Sequence, residues 1–308
     1  MTTGSALEKL YRACGDFVPR AALDRHAIAE LEQLGYHIEA HPHHGYRLLS
    51  SPDRLTADDI KARLKPQTLG AEILVFEQTA STNDVAAQLA AAGAREGLVV
   101  FAESQTKGRG RHGRVWASPR GKGLWFSVLL RPALPPDTFP RITVAASVAV
   151  VRAIRRIAAL DPRIKWPNDI TFHRKKVAGI LTEIQKDAAI LGIGINVNCA
   201  RRDFPAAILP FATSLAIETG HQQDRAALAA TVLEALDDCY RCALTDFDAV
   251  VAEWAGCCAT LGRQLTVKMG RHRIEGQAQA LDADGALLLR KDNGQIERIL
   301  GADVEIEQ

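Results

Sequence analysis

The chain has no long hydrophobic run, no surplus of charge of one sign, few cysteines and no internal repeat, and each absence removes a class of protein. Its most apolar stretch, residues 142–151 (ITVAASVAVV), is too short to span a bilayer. Glu8 and Lys9 interrupt the N-terminus before an apolar run builds up, so no ordinary secretory signal is expected and the cytoplasm is the expected location. Lysine and arginine number 38 against 36 aspartates and glutamates, a formal net charge of +2, so any nucleic-acid contact would have to be local. Six cysteines in 308 residues, with Cys257 and Cys258 adjacent, do not form a disulfide framework. Cys239 and Cys242 sit three apart in a helical pattern with no histidine near, and read as small packing residues. His37, His41, His43 and His44 lack an accompanying cysteine or carboxylate set, so no protein metal ligands are assigned.

What is present is globular: 47% hydrophobic and 24% charged residues, on a chain longer than one core usually organises. Residues 5–14 and 24–34 carry apolar side chains at helical spacing, the second ending at Gly35, and YHIEAHPHHGYRLL reads as a hairpin. This pattern predicts a small winged-helix-like head over 1–62, with a linker and short helix at its end. From residue 73, strand-like runs recur (ILVFEQ, GLVVFAES, GLWFSVLLR, RIKWPNDITF, KVAGILTEIQ, AAILGIGINVN), with clear helices only at 83–92 and 141–159. The last three are closely spaced, as in an antiparallel meander, which predicts an α+β domain with a mixed sheet over 63–258 rather than a Rossmann alternation. After a helical stretch at 224–255, the short runs LTVKMG, HRIEGQAQALD, GALLLRK and IERILGADVEIE predict a small β-barrel over 259–308.

Five segments carry chemistry. In QTKGRGRHGRVW (105–116), Gly108, Gly110 and Gly113 free the backbone to wrap an anion, and Arg109, Arg111 and Arg114 offer guanidinium forks for phosphate or carboxylate. A solvated Gly/Arg loop on nucleic acid is the rival reading, weakened because no aromatic interleaves the arginines. Ser81-Thr82-Asn83 stands between a strand and a helix; Ser81 with Asp84 three residues on reads as a capping box, and the same polar groups could anchor a ligand. KWPND (165–169) could be a surface turn, but Lys176 follows it at the entry to an apolar strand, where a cation can meet an anionic substrate or merely snorkel. GIGINVN (192–198) puts two glycines two apart in a strand, allowing close approach of a ligand or of neighbouring backbone.

Taken in this order, STN, GRGRHGR, KWPND, KKVAGILTE and GIGINVN resemble the biotin protein ligases, including the bifunctional ligase that also represses biotin operons. The resemblance covers roughly residues 73–200, and GALLL near the C-terminus resembles that family's SH3-like domain. It implies a catalytic domain related to class II aminoacyl-tRNA synthetases and lipoate ligases, with biotin and ATP as substrates, magnesium beside the nucleotide, and a lysine of a biotin carboxyl carrier protein as acceptor. Ser81, Thr82, Asn83, Gln105, Arg109, Gly110, Arg111, Lys176, Gly179 and Gly192 would hold biotin. Arg114, Trp116, Lys165, Asn168, Asp169 and Asn196 would lie toward the nucleotide, and Lys176, Arg111 and Asp169 would serve catalysis. A homodimer is compatible with the resemblance.

Two departures stand out: His112 replaces a basic loop residue, and the span from Gly15 to Gly35 has no room for both helices of a complete helix-turn-helix. DNA is therefore not expected as a partner, and a purely biotin-sensing repressor or a lipoate ligase on the same fold is the alternative activity.

Overall fold

The computed structural model describes residues 2–65, 67–135, 138–269, 272–300 and 303–306. Helix α1 (Thr3–Arg12) starts at Thr2, whose hydroxyl accepts the Ser5 N–H, and it buries Ala6, Leu7 and Leu10 along one face. A 3-10 turn (Arg20–Ala22) leads to α2 (Arg25–Gln33), which is capped by Asp24 and buries Ala27, Ile28 and Leu31. One α-helix and one 3-10 turn thus occupy the span between Gly15 and Gly35. The hairpin β1 (His37–His41) and β2 (Gly45–Ser50) follows. At Gly45, φ is 105° and a Cβ would fall 2.0 Å from the Val18 carbonyl oxygen, so only glycine lets the hairpin close on that segment. His41 is a turn cap: its Nδ1 accepts the N–H groups of His43 and His44.

Helix α3 (Ala57–Arg63) belongs to two cores at once, Ala62 packing with the head and Ile60 with the main apolar cluster. The boundary read at residue 62 therefore falls inside a helix. Buried Asp59 on α3 accepts a hydrogen bond from Tyr11 of the head, and desolvation holds its carboxyl above the usual range. Arg63 on the same helix donates to Tyr11 and to Asp224 beyond it.

The central unit runs β3 (Glu72–Phe76), α4 (Thr82–Ala91), β4 (Leu98–Ala102), β5 (Gly123–Leu130), α5 (Pro140–Ala158), β6 (Arg163–Lys165), β7 (Asp169–Phe172), β8 (Lys175–Gln185), β9 (Ala188–Asn196), α6 (Leu215–Thr219), α7 (Arg225–Thr245) and α8 (Phe247–Cys257). Its seven strands lie in the order β3-β4-β5-β9-β8-β7-β6. Only β3 and β4 pair in parallel, because α4 carries the chain across between them; β6 to β9 form the expected meander. Strand alternation gives the sheet two faces. Phe126, Val128 and Leu130 of β5 and Leu191, Ile193 and Ile195 of β9 join the apolar cluster that includes α5 and α7. The opposite face carries Trp125 and Ser127 of β5 and Gly192 and Gly194 of β9, with α4 beside them.

Strands β10 (Gln264–Met269), β11 (His272–Leu281), β12 (Leu287–Arg290), β13 (Ile296–Ile299) and β14 (Asp303–Ile306) form a separate antiparallel sheet in the order β13-β12-β11-β10-β14. Gly270, Gly301, Ala302 and Glu307, within the runs read as strands, lie outside the described residues. The sheet joins the central unit where Thr260 accepts the Trp166 N–H and Ala259 donates to the Ile164 carbonyl. The fold is α+β, and among the described residues no helix is long and apolar enough to cross a membrane.

One buried ion pair fastens the linker to the sheet. Arg225, 2% exposed at the start of α7, donates to both oxygens of Glu103, 4% exposed just past β4, and to Asp53 of the linker. Glu103 also accepts the Leu55 N–H. Removing one partner of such a pair strands a charge, so Arg225→Met should cost about 3–5 kcal/mol, and adding Glu103→Gln should recover part of it. Urea denaturation of the single and double variants checks this; a single-variant loss below about 1 kcal/mol would show that Glu103 finds another counter-charge.

Candidate active site

The glycine-bearing face of the sheet floors a cavity of about 620 Å³. The segments read as carrying chemistry converge on it, from the N-terminus of α4, the loop between β4 and β5, the β6–β7 turn, the start of β8 and the second half of β9. All sixteen residues named from the sequence line this one cavity, from Ser81 to Asn196.

The floor exists because β9 lacks side chains where neighbours must approach. A Cβ on Gly192 would lie 2.3 Å from Asn83 Oδ1, and one on Gly194 would lie 2.6 Å from the Trp116 indole. Gly179, opposite Gly194 in the β8–β9 pairing, leaves room for Lys176 and Trp116 in the same way. The spacing of two in GIGIN is thus the strand period, which sends both glycines to one face while Ile193 and Ile195 go to the other.

At the start of α4 the capping-box reading is overturned. Ser81 is the N-cap residue, yet its side chain accepts no backbone hydrogen bond from the helix. The Thr82 N–H is instead taken by Gln105 Oε1 at 2.8 Å, and Asp84 is held by Arg109, so a loop from elsewhere in the sequence caps this helix. Gln105 is oriented in turn by donating to Ser118 at 2.9 Å. Ser127, fully buried on β5, lies 2.7 Å from Thr82 Oγ1 and donates to Asn83 Oδ1 at 2.5 Å.

The Gly/Arg loop folds back on itself, with Gly110 N–H donating to Arg114 O and Trp116 N–H to Gly108 O, around a 3-10 turn at Arg111–Gly113. Arg109, on the cavity lining, grips Asp84 at 2.7 and 2.8 Å and reaches Glu183 at 3.2 Å. Two carboxylates at bonding distance already satisfy it. The hydrogen bond from Arg109 holds the Asp84 carboxyl below its ordinary range, and the same bond raises the guanidinium. Arg111 extends across to Asn168, whose amide donates to Ile180 O at 2.7 Å.

Across the floor, Lys176 Nζ lies 2.5 Å from Asp169 and 5.1 Å from the centroid of the Trp116 ring. Trp116 stacks edge-on against buried Trp125, and among the described residues its buried indole N–H finds no acceptor. Asn196 donates to Thr213 O at 3.0 Å. Phe204, Ile208 and Phe211 supply an apolar wall, and Lys268 of the C-terminal sheet also lines the cavity. Sequence reading did not single out these four, nor Ser127 and Glu183. A serine inside GLWFSVLL and an acid at the end of VAGILTE were the available signals, since a polar residue within an apolar strand needs a partner. Among the described residues no three His, Cys, Asp or Glu side chains converge as a metal cage.

Comparison with known proteins finds a match to the Biotin/lipoate A/B protein ligase family over residues 75–199 and to the Biotin protein ligase C terminal domain over residues 260–306. The bifunctional ligase/repressor BirA of Bacillus subtilis is 38% identical over 293 residues, covering 93% of this chain and 90% of that protein. The biotin--[acetyl-CoA-carboxylase] ligase of Mycobacterium tuberculosis is 32% identical over 78% of this chain and 93% of its own length. A biotin protein ligase from Aquifex aeolicus, solved with biotin and ATP, superposes with a TM-score of 0.68 at 30% identity, covering 77% of this chain and 99% of that one.

The floor geometry is directly testable. Gly192→Ala should lower stability by about 1–3 kcal/mol, because the new methyl meets an amide pinned by Ser127 and Glu183. Adding Asn83→Ala to it should restore most of that loss in urea denaturation. A neutral Gly192→Ala would show that the Asn83 amide is free to withdraw.

Proposed function

The chain belongs to the biotin protein ligases, and from that membership we propose that its cavity uses ATP to join biotin to AMP and passes the biotinyl group to a lysine of a biotin carboxyl carrier protein. The observation that carries this is the convergence of five separated segments on one cavity with a polar anchor at one end, a lysine over the floor and an arginine loop above.

A carboxylate acylates poorly until its oxygen becomes part of a leaving group. In the first step a biotin carboxylate oxygen attacks the α-phosphorus, forming a mixed anhydride and expelling pyrophosphate. Two anions must meet, and Lys176 is the cation placed to offset their repulsion, preorganised by Asp169 and the face of Trp116. Ser81, Thr82, Asn83 and Gln105 supply the donors and acceptors suited to a ureido ring, with Gly179 and Gly192 keeping the floor open. Arg111 and Arg114 serve the acyl phosphate, and Trp116, Lys165, Asn168 and Asn196 surround the nucleotide. Phe204, Ile208 and Phe211 offer an apolar surface for its base.

Magnesium would enter bound to the triphosphate and neutralise phosphate charge. The residues do not build a separate cage for it, since Asp169, the acid on the cavity wall, is engaged by Lys176. In the second step the acceptor amine attacks the biotinyl carbonyl, an amide forms and AMP leaves; Asp169 is the candidate to receive the amine's proton. The anhydride survives only if water is kept out, which is the role of the Gly110–Arg114 loop.

The head supports the ligase activity alone. The exposed side of α2 carries Glu30 and Glu32 as well as Arg25, and acidic and basic side chains nearly balance over residues 1–50, so the head offers no surplus of positive charge to collect phosphates.

Purified protein should release AMP and pyrophosphate from ATP only when biotin is present, and Lys176→Ala should slow this by about 100-fold without unfolding the chain. ATP turnover indifferent to biotin would refute the assignment, and a near-normal Lys176→Ala would remove the lysine from the chemistry. A salt titration against the chain's own upstream DNA and random DNA should give equal affinities; a tight, biotin-dependent preference for the upstream fragment would restore the repressor reading.

A further inference from the structure

Glu183, at the edge of the cavity, joins Asn83 of the polar anchor to Arg109 of the arginine loop through one side chain. It lies on β8, on the same face as Gly179, where strand alternation aims it at the N-terminus of α4. Its Oε2 accepts from Asn83 Nδ2 at 2.6 Å and from Arg109 at 3.2 Å, and its Oε1 lies 3.4 Å from Arg109.

Each partner has a second anchor. Ser127 donates to Asn83 Oδ1, so the amide is fixed at both ends and its orientation follows from its neighbours: Glu183 can only accept, which assigns it the nitrogen. Arg109 is held on its other side by both oxygens of Asp84, and it stands between Gly108 and Gly110 at the entry to the loop. The guanidinium is therefore a strut between α4, β8 and the loop. With two carboxylates around one cation, it has no charge left to neutralise a substrate anion.

We propose that Glu183 is a positioning residue that couples the anchor to the loop: it sets the Asn83 amide for ring recognition and, through Arg109, pins the base of the loop whose Arg111 reaches across the cavity. The proposal rests on the reading of this cavity as the biotin site. Its physical content is that one carboxylate serves two hydrogen-bonded partners, so changing its charge and removing its oxygens have separable effects. Glu183→Gln keeps an oxygen that can accept from Asn83 but removes the charge that holds Arg109. Glu183→Ala removes both. Asp84→Asn weakens the strut from the other side and leaves the Glu183–Asn83 bond in place.

The test uses the full-length chain and three measurements: KM for biotin in AMP formation, labelling of bystander lysines by escaped activated biotin, and the rate of trypsin cleavage within 109–114 without any ligand. Glu183→Gln and Asp84→Asn should each speed loop cleavage about tenfold, the scale of one lost charge-assisted hydrogen bond, and increase bystander labelling, with KM for biotin within about twofold of the parent. Glu183→Ala should do the same and also raise KM for biotin about tenfold. If Glu183→Gln and Glu183→Ala change loop cleavage and KM together and only in proportion to lost thermal stability, Glu183 is a structural residue and the coupling is wrong. If Glu183→Gln fails to fold, Asp84→Asn decides: unchanged loop cleavage overturns the strut. A parent protein without biotin-dependent AMP formation would refute the ligase reading, while the ligand-free cleavage rates would still test the strut.

Discussion

The site depends on a pair of missing side chains. Gly192 and Gly194 stand two apart on β9, so both open toward the same face of the sheet, and the space they leave is filled by the Asn83 amide and the Trp116 indole. Everything else in the cavity is arranged around those two occupants. Asn83 brings the N-terminus of α4 down onto the sheet, Trp116 brings down the far end of the arginine loop, and Lys176 crosses the indole face from β8. A methyl group at either glycine would lift an element rather than merely shrink a pocket.

Charge in this protein serves placement as much as ligands. Arg225 is buried between Glu103 and Asp53 and ties the linker to the sheet; Arg63 links Asp59 on α3 to Asp224 ahead of α7. Arg109 repeats the arrangement at the cavity edge with Asp84 and Glu183. At Arg225 and Arg109 a planar guanidinium hydrogen-bonds two acidic groups from different segments, a geometry a lysine would not reproduce. The near balance of 38 basic and 36 acidic residues is consistent with such internal pairing.

The head shows how little structure suffices to seat a hairpin. One helix, one 3-10 turn and one further helix enclose Leu7, Leu10, Leu23, Ile28 and Leu31, and the unit leans on α3, which it shares with the central core. Continuity through α3 makes the head part of the molecule's packing. The relation to a ligase/repressor of similar length therefore does not require that the head still read DNA.

The sequence alone determined the α+β class, the β6–β9 meander, the positions of the main helices and, through the family resemblance, sixteen of the residues that line the cavity. Strand period, helix spacing, glycine placement and each short motif are local, every one of them written within a few residues, and the motifs' order along the chain is read from the sequence directly. Tertiary structure decided what those residues do to each other. Asp84 looked like half of a capping box and proved to be a partner of Arg109, while Gln105, distant in sequence, takes the Thr82 N–H. Nothing near Arg109 in the sequence announces Glu183, 74 positions away, which folding brings to its guanidinium. Ser127, Glu183 and the wall of Phe204, Ile208 and Phe211 carried only the faint signal of being out of place in their segments. Hydrogen-bond partners are chosen by competition in space, and that competition cannot be judged until the sheet has set which side chains share a face.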